Sequence, residues 1–122
     1  MSRHNIVVIR SDGTVKQVEC DEHPTLETLQ SLIGGYIETV PVRIPVSDKP
    51  TMIVNEEGKL KGLPRNKAAT KIARLYDGDY IAGDAVLLDA NTEEFKSFTI
   101  LRAACVMQLV GVVAGGAARL EW

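Results

Sequence analysis

The sequence predicts an α+β fold, a small antiparallel or mixed sheet of about five strands with two to three helices. Two observations predict it. Residues 5–10 (NIVVIR) form a β-branched run of the kind that builds strands, and similar runs recur along the chain. Between them, apolar residues recur at helical spacing, first at Leu26, Leu29, Leu32 and Ile33. With 122 residues, the chain is long enough for one domain with a modest core.

Composition and charge exclude one class of partner. Hydrophobic residues make up 45% of the chain and charged residues 25%, which are ordinary values for a globular domain. The net charge is −2, whereas proteins that bind nucleic-acid polymers through phosphates carry a basic surplus. Polymeric nucleic acid is therefore not expected as a partner.

Cysteines and histidines are too few and too scattered to predict a metal site. Cys20 and Cys105 are far apart in sequence, and His4 and His23 add no zinc-ligand spacing. We expect reduced thiols, no metal and no cofactor. The chain starts almost directly with a strand pattern and has no apolar signal segment, so a cytoplasmic location is expected.

The first third of the chain predicts a hairpin followed by a helix. Residues 5–10 and 14–19 are the two strands, and residues 11–13 (SDG) form the turn because glycine accepts a positive φ. Thr25 is placed to cap the start of the helix, and residues 34–35 (GG) are placed to end it.

Further strands are predicted in the middle of the chain. Residues 36–40 follow the first helix directly, and residues 51–54 predict a central strand. Pro41 and Pro45 cannot donate backbone hydrogen bonds within a sheet, so residues 42–46 are predicted to be an edge strand or an extended arm. After the second strand, residues 55–58 form a turn and residues 59–60 begin a short return strand.

The next segment predicts another helix and another strand. Asn66 caps a helix over residues 67–76. Residues 80–88 predict one strand, in which Gly83 marks a bulge or a close backbone approach. Asn91 or Thr92 is expected to cap a short helix that runs through Glu93, Glu94 and Phe95.

The C-terminal segment is the least polar part of the chain. Residues 1–98 predict a single α+β domain, and residues 99–122 an apolar segment that packs on this domain or at an oligomer interface. Arg102 and Gln108 interrupt the apolar run, and the segment is too short and too rich in glycine for a membrane span. Helix and strand both fit residues 100–110, and the apolar spacing favours a helix. We therefore expect a homo-oligomer and no membrane partner.

The start of the helix over residues 67–76 is the best anion site that the sequence offers. Helix N-termini favour anions through free N–H groups and the helix dipole. Arg65 can form a bidentate contact with a phosphate, and Asn66 can bind a base or a ribose, with Thr70 in the same first turn. The alternative is an ordinary capped helix with solvated cations.

Three more residues are candidates for ligand contacts. Tyr36 follows two glycines and can stack on a base, or it can be a core tyrosine behind a helix C-cap. Asn55 ends a buried strand, so its amide needs hydrogen bonds from the protein or from a ligand. Arg102 lies in an apolar run and can contact a ligand, pair with an acidic group across an interface, or extend to solvent.

Four segments of the sequence carry a resemblance to a known family. They read LQSLIGGYIE (29–38), IVNEEGKL (53–60) and LPRNKAAT (63–70), followed by IAGDAVL (81–87). In order and spacing, this pattern resembles a family of small proteins of unknown function from phages and from bacterial genomes that carry mobile elements. The resemblance covers residues from about 5 to 95 and implies a phage or prophage gene.

That context leads to the function that we expect. In size, α+β composition and apolar tail, the chain is similar to phage nucleotide-sponge proteins, which bind an immune signal and hide it from the host. The similarity implies a non-enzymatic protein that sequesters a cyclic oligonucleotide or cyclic ADP-ribose in the host cytoplasm. The expected contacts are Tyr36, Asn55, Arg65, Asn66, Thr70 and Arg102.

Two other functions remain open. One is an interaction module that blocks a host protein through residues 42–46 or the apolar tail. The other is an enzyme that degrades a nucleotide with Glu56, Glu57 and a bound metal. Adjacent residues on a strand point to opposite faces, which disfavours a joint role for the two glutamates.

Overall fold

The computed structural model describes residues 4–45, 47–75, 78–90 and 94–122. Within them lie nine strands, three α-helices and a 3-10 turn. In chain order the elements are β1 (His4–Ile9), β2 (Thr14–Cys20), α1 (Leu26–Ile33), β3 (Ile37–Pro41), β4 (Pro50–Asn55), β5 (Arg65–Asn66), α2 (Lys67–Ala73), β6 (Ile81–Ala82), β7 (Ala85–Ala90), β8 (Phe95–Lys96), α3 (Ile100–Ala114), the 3-10 turn (Gly115–Ala117) and β9 (Arg119–Glu121).

Seven of these strands form one mixed sheet, so the predicted α+β class is confirmed and the sheet is larger than predicted. Its order is β3-β4-β7-β1-β2-β9, with β8 added at the end of β7. The predicted hairpin is present as β1 and β2, which pair in register from His4 opposite Cys20 to Ile9 opposite Val15. Only the pairing of β2 with β9 is parallel among the pairs in the described residues.

Helices cover both faces of the sheet. Val7, Ile9 and Leu87 point to the face that packs against α2 and α3. Ile6 and Val8 point to the opposite face, where they pack with Leu29 and Ile33 of α1, among others. Successive strand residues point to opposite faces, and here both faces are buried. The central strands are therefore continuous apolar runs rather than alternating ones.

The cap residues predicted for the helices act as caps. Thr25 accepts a hydrogen bond from the Thr28 N–H at 3.2 Å, and Gly34 ends α1 at φ 84°. Asn66 accepts from the Ala69 N–H at 2.9 Å and begins α2. Each satisfies a backbone group that a helix terminus leaves without an intrahelical partner.

The segment predicted as one strand over residues 80–88 is two strands in two sheets. β6 pairs with β5 in a separate two-stranded sheet, and β7 enters the main sheet. Gly83 lies between them at φ 90°, and its N–H donates to the Pro64 carbonyl at 2.7 Å. A Cβ at this glycine would lie 2.8 Å from the Leu63 Cδ1, so the close approach that the sequence predicted is a contact with a leucine side chain.

Three other local predictions differ from the structure. Residues 59–60 lie in hydrogen-bonded turns instead of a return strand, and the predicted helix over 67–76 ends at Ala73. Phe95 belongs to β8 instead of a helix. Of the two alternatives for residues 42–46, the described part, 42–45, lies outside the strands, and the Val42 N–H donates to the Pro50 carbonyl at 3.2 Å. Tyr76, Val46 and the cap predicted at Asn91 or Thr92 lie outside the described residues.

The apolar C-terminal run is a helix, as its spacing predicted. α3 packs against β1 and β2 and contributes Val106, Met107 and Val110 to the core. By length and composition, Ile100–Ala117 is also apolar enough to cross a membrane, with a mean hydropathy of 1.7. Of this window, 28% is buried within the chain, and the prediction that the segment is too short and too rich in glycine for a span was wrong on length and composition.

Gly13 and Gly34 allow a backbone prediction with an internal control. Both have positive φ, 95° and 84°, but a Cβ at Gly13 would lie 2.5 Å from the Ala117 carbonyl oxygen, whereas one at Gly34 meets nothing within 4 Å. Gly34→Ala is expected to destabilise by about 1 kcal/mol through φ alone. Gly13→Ala is expected to cost about 3 kcal/mol, because the turn and the C-terminal segment must separate. Urea unfolding of both variants measures the difference, and equal losses would contradict a tight contact there.

Candidate functional site

The predicted ligand contacts fall into three separate places. These are the end of β4, the start of α2 and the start of α3 (Tyr36 and Asn55; Arg65, Asn66 and Thr70; Arg102). Arg102 is far from Asn55. Arg102 lies next to Asp89, which pairs with Pro50 at one end of β4, whereas Asn55 is at the other end. Five residues of strand separate these ends, about 17 Å at 3.3 Å per residue.

Arg102 forms ion pairs within the chain. Its Nη1 lies 3.5 Å from Asp48 Oδ2 and 3.9 Å from Asp89 Oδ2. Asp89 is buried and also accepts hydrogen bonds from the Ser47 hydroxyl and the Lys49 N–H. Arg102 therefore joins the start of α3 to the loop before β4 and leaves our set of ligand contacts.

Asn66 and Thr70 also make internal bonds. Asn66 is fully buried, and its Nδ2 donates to the Ile9 and Gly83 carbonyls at 2.8 and 3.0 Å while its Oδ1 caps α2. The Thr70 hydroxyl donates to the Asn66 carbonyl and accepts from the Ile81 N–H. Both side chains hold β1, β6 and α2 together. Asn66 is therefore not offered to a ligand, and Thr70 uses its hydroxyl within the chain.

Arg65 lies in a basic cavity, which we call the Tyr80 cavity. It has a volume of about 280 Å³, and the side chains around it combine cations, an aromatic ring and one carboxylate (Arg65, Lys67, Thr70, Lys71, Asp79, Tyr80 and Ala117). The Arg65 Cζ stacks 4.0 Å from the centre of the Tyr80 ring, and the Lys59 Nζ lies 4.8 Å from the same point. Such cation–π contacts hold the ring and the guanidinium in a fixed arrangement.

The one carboxylate in the Tyr80 cavity is already neutralised. Asp79 forms an ion pair with the Lys59 ammonium. The hydrogen bond from Lys59, followed by one from the Tyr80 N–H, holds the pKa of Asp79 below its usual range. Arg65, Lys67 and Lys71 therefore give the cavity a net positive charge in a chain whose net charge is −2.

The local sequence explains this charge. Six of the 14 lysine and arginine residues lie between Gly58 and Leu75, a stretch that contains no aspartate or glutamate. A second cavity of about 330 Å³ meets the first at Asp79 and Tyr80 and extends to Asn55. Glu38 and Glu56 line this second cavity, so the surplus of cations is confined to the Tyr80 cavity.

Asn55 holds a donor that no described residue accepts from. Its Oδ1 accepts from the Glu57 N–H at 2.8 Å, whereas its buried Nδ2 has no hydrogen-bond partner. The point where a Cβ of Gly35 would lie is 3.2 Å from this Nδ2 and 3.3 Å from the Lys61 Nζ. An acceptor atom or a water near Gly35 would satisfy both donors. Tyr36 beside it is exposed rather than part of the core.

The structure also brings together two histidines and a serine that the sequence did not connect. The Ser97 hydroxyl lies 2.9 Å from His4 Nδ1 and 3.0 Å from His23 Nδ1. The backbone N–H of Ser97 also donates to His23 Nδ1, at 3.0 Å. Because this bond uses the nitrogen that faces the hydroxyl, His23 is not a free general base for Ser97. The cluster ties β1 to the segment before α3.

Sequence reasoning missed Tyr80 and Lys61. Tyr80 directly precedes β6, and the pairing of β5 with β6, Arg65 opposite Ala82, brings its ring close to Arg65. Strands of two residues are too short to be predicted from the local sequence. Lys61 reaches Asn55 through the turns after β4. A count of charges along the chain would have found the acid-free segment that contains most of the site's cations.

Comparison with protein families found one match, and comparisons with curated proteins and with solved structures found none. The matching model is described as a domain of unknown function, DUF3846, and it covers residues 3–108. The match includes the hairpin, Asn55, the first part of α3 and every residue that lines the Tyr80 cavity except Ala117. It extends beyond residues 5 to 95, the range that the resemblance covered. Since it spans most of the sequence, this chain belongs to the DUF3846 family.

Proposed function

We propose that this protein binds a small phosphorylated ligand of the nucleotide type in the Tyr80 cavity and sequesters it unchanged. One observation carries the proposal. Arg65, Lys67 and Lys71 surround the cavity, and its one carboxylate is paired with Lys59. Three exposed cations grouped around one open cavity attract an anion, and phosphate oxygens are suitable acceptors for arginine and lysine.

The stacked pair of Arg65 and Tyr80 supports a ligand with a base as well as a phosphate. Nucleobases stack on aromatic rings and on guanidinium planes, largely independently of base identity. Arg65 and Tyr80 already stack on each other, so a base would extend this stack, and Lys67 and Lys71 line the same cavity. This juxtaposition favours a nucleotide over inorganic phosphate.

The side chains around the cavity favour binding over turnover. No histidine or cysteine is among the described residues that line it, and Glu56 and Glu57 lie outside it. In a phage or prophage context, such a protein would remove a cyclic oligonucleotide or cyclic ADP-ribose immune signal from the host cytoplasm. The rival function is a module that blocks a host protein through its exposed surfaces.

Isothermal titration calorimetry tests the proposal directly. Purified protein is titrated with cyclic dinucleotides, a cyclic trinucleotide, cyclic ADP-ribose and, for comparison, inorganic phosphate. We expect at least one nucleotide to bind with a micromolar or lower Kd, inorganic phosphate to bind far more weakly, and chromatography to recover the nucleotide intact. Absence of binding across the panel would overturn the proposal, and hydrolysis of the bound nucleotide would replace it with an enzyme.

We also propose that a second copy covers the outward face of α3. Leu101, Cys105, Gln108 and Val112 follow one another at spacings of four, three and four residues, as in a helix–helix seam. Leu101 and Val112 are 78% and 79% exposed, although both are apolar. Self-association through this face would bury them, and the single polar residue, Gln108, would set the register.

Light scattering after size exclusion tests this association. We expect the unaltered chain to be a dimer at micromolar concentration and the Leu101→Lys/Val112→Lys variant to be a monomer, since two buried charges oppose the contact. Leu60→Lys is the matched control, because Leu60 is 84% exposed and lies outside α3. A monomeric unaltered chain, or a dimer that survives the double substitution, would contradict the proposal.

A further inference from the structure

A large cavity lies on the α2 and α3 side of the sheet, and we call it the arginine cavity. Its volume is about 540 Å³, which is within the usual range for ligand sites and larger than the Tyr80 cavity. Its walls are apolar and come from the segment after β3, from α2 and from α3 (Val42, Ile44, Ile72, Leu109, Val110 and Val113).

Two arginines line this otherwise apolar space. Arg43 follows β3 and Arg74 ends α2. Because both residues are exposed as well as lining the cavity, we infer that their guanidinium groups lie where it opens to solvent. Neither forms an ion pair with a carboxylate in residues 4–45, 47–75, 78–90 or 94–122, in contrast to Arg10, Arg102 and Arg119. An apolar interior with two uncompensated guanidinium groups at its mouth matches a molecule that is apolar at one end and anionic at the other.

The backbone of Arg74 adds an independent observation. It is the helix C-cap at φ 50° and ψ 50°, and its N–H donates to the Thr70 carbonyl at 3.1 Å. Among described residues it is the only one other than glycine with a positive φ. Glycine adopts this conformation without steric cost and is the usual residue at such a cap. Arg74 therefore has a strained backbone where glycine would not. Unlike glycine, it places a charged side chain beside the cavity.

We propose that the arginine cavity binds an amphipathic anion, with an apolar chain or ring inside and a single carboxylate or phosphate head between Arg43 and Arg74. This site is separate from the Tyr80 cavity and does not depend on nucleotide binding. The apolar part is held by burial against the walls from α2 and α3, and the head by charge-assisted hydrogen bonds at the rim.

The probes are octanoate and its uncharged analogue octan-1-ol, which share the same chain length. Binding is followed by amide chemical shifts of the ¹⁵N-labelled full chain, so that the affected residues locate the site. We expect octanoate to shift the amides of Leu109, Val110 and Val113, and octan-1-ol to bind at least about 10-fold more weakly, since it lacks the charge that the arginines contact.

Three substitutions separate the contributions. Arg74→Gly and Arg43→Gln are each expected to weaken octanoate binding by about fivefold or more while leaving octan-1-ol unaffected. Val113→Trp is expected to abolish binding of both probes, because the larger side chain of this wall residue fills part of the cavity. Lys16→Gln, at an exposed cation on β2, is the control and is expected to bind octanoate as the unaltered chain does.

The Arg74→Gly variant also shows whether weaker binding results from a loss of folding. Because glycine relieves the strained φ, its thermal midpoint is expected to equal or exceed that of the unaltered chain, so weaker binding cannot be attributed to unfolding. Four results would overturn the proposal: no binding of octanoate, equal affinities for octanoate and octan-1-ol, full affinity in Arg74→Gly, or shifts confined to other surfaces. If a dimer covers the cavity, octanoate does not bind, and the proposal fails in the same way.

Discussion

Replacing Lys67 and Lys71 together by glutamine is expected to weaken nucleotide binding by about 100-fold or more. Each lysine offers the ligand a charge-assisted hydrogen bond, which is worth roughly 1.5–3 kcal/mol, and the loss of two corresponds to at least two orders of magnitude in Kd. The remaining cation of the Tyr80 cavity, Arg65, would bind a phosphate alone. Calorimetry with the best ligand of the panel measures the change.

The controls for this prediction are chosen from the same residue type. Lys16→Gln/Lys49→Gln removes two lysine charges outside the cavity and is expected to leave Kd within about twofold once salt is fixed, because distant exposed charges are screened. Lys71 Nζ also donates to the Ala114 carbonyl at 3.4 Å, so circular dichroism must show an intact fold. If both pairs of substitutions weaken binding equally, the ligand is attracted by overall charge and the Tyr80 cavity is not its site.

Asn66→Ala is expected to lower the free energy of unfolding by about 3–5 kcal/mol, a large loss for a single substitution. The change removes the α2 cap and both donors to the Ile9 and Gly83 carbonyls, in a place where water cannot replace them. For a domain of this size, a loss of that magnitude lowers Tm by about 10 °C or more. Thermal unfolding followed by circular dichroism measures it.

Thr25→Ala provides the contrast. Thr25 also caps a helix, but its bond to the Thr28 N–H is solvent-exposed, so water replaces the lost acceptor. We expect a loss of about 1 kcal/mol. Similar losses for the two caps would mean that the buried hydrogen bonds of Asn66 contribute little, and Asn66 would then return to the set of candidate ligand contacts.

The parts of the fold that the sequence predicted are those fixed by local chemistry. The turn at Gly13, the caps at Thr25 and Asn66, and the helical spacing in α3 depend on neighbouring residues, and all four are found in the structure. The strand over residues 80–88 was predicted as one element because apolar residues lie on both sides of Gly83 and Asp84, and Gly83 was read as a bulge or a close approach within the strand. What divides it is the contact of Gly83 with Leu63, twenty residues away, which periodicity does not encode.

The candidate site was less predictable for a related physical reason. Asn66 was proposed as a ligand contact because it starts a helix, and Arg102 because a charged group in an apolar run must find a partner. Both partners turned out to be distant parts of the same chain, the Ile9 carbonyl and the carboxylates of Asp48 and Asp89. Sequence shows that such a partner is needed, and only the fold shows whether the protein supplies it.

The parallel pairing of β2 with β9 has a consequence for biosynthesis. Thr14 and Arg119 are 105 residues apart, and at 5–20 residues per second the ribosome needs about 5–20 s to make the chain between them. During this time the β1–β2 hairpin can form, while the outer edge of β2 has no strand to pair with. Unpaired edges are templates for joining other chains. Slower translation of the later segments therefore lengthens the period in which nascent copies on one messenger can associate through β2.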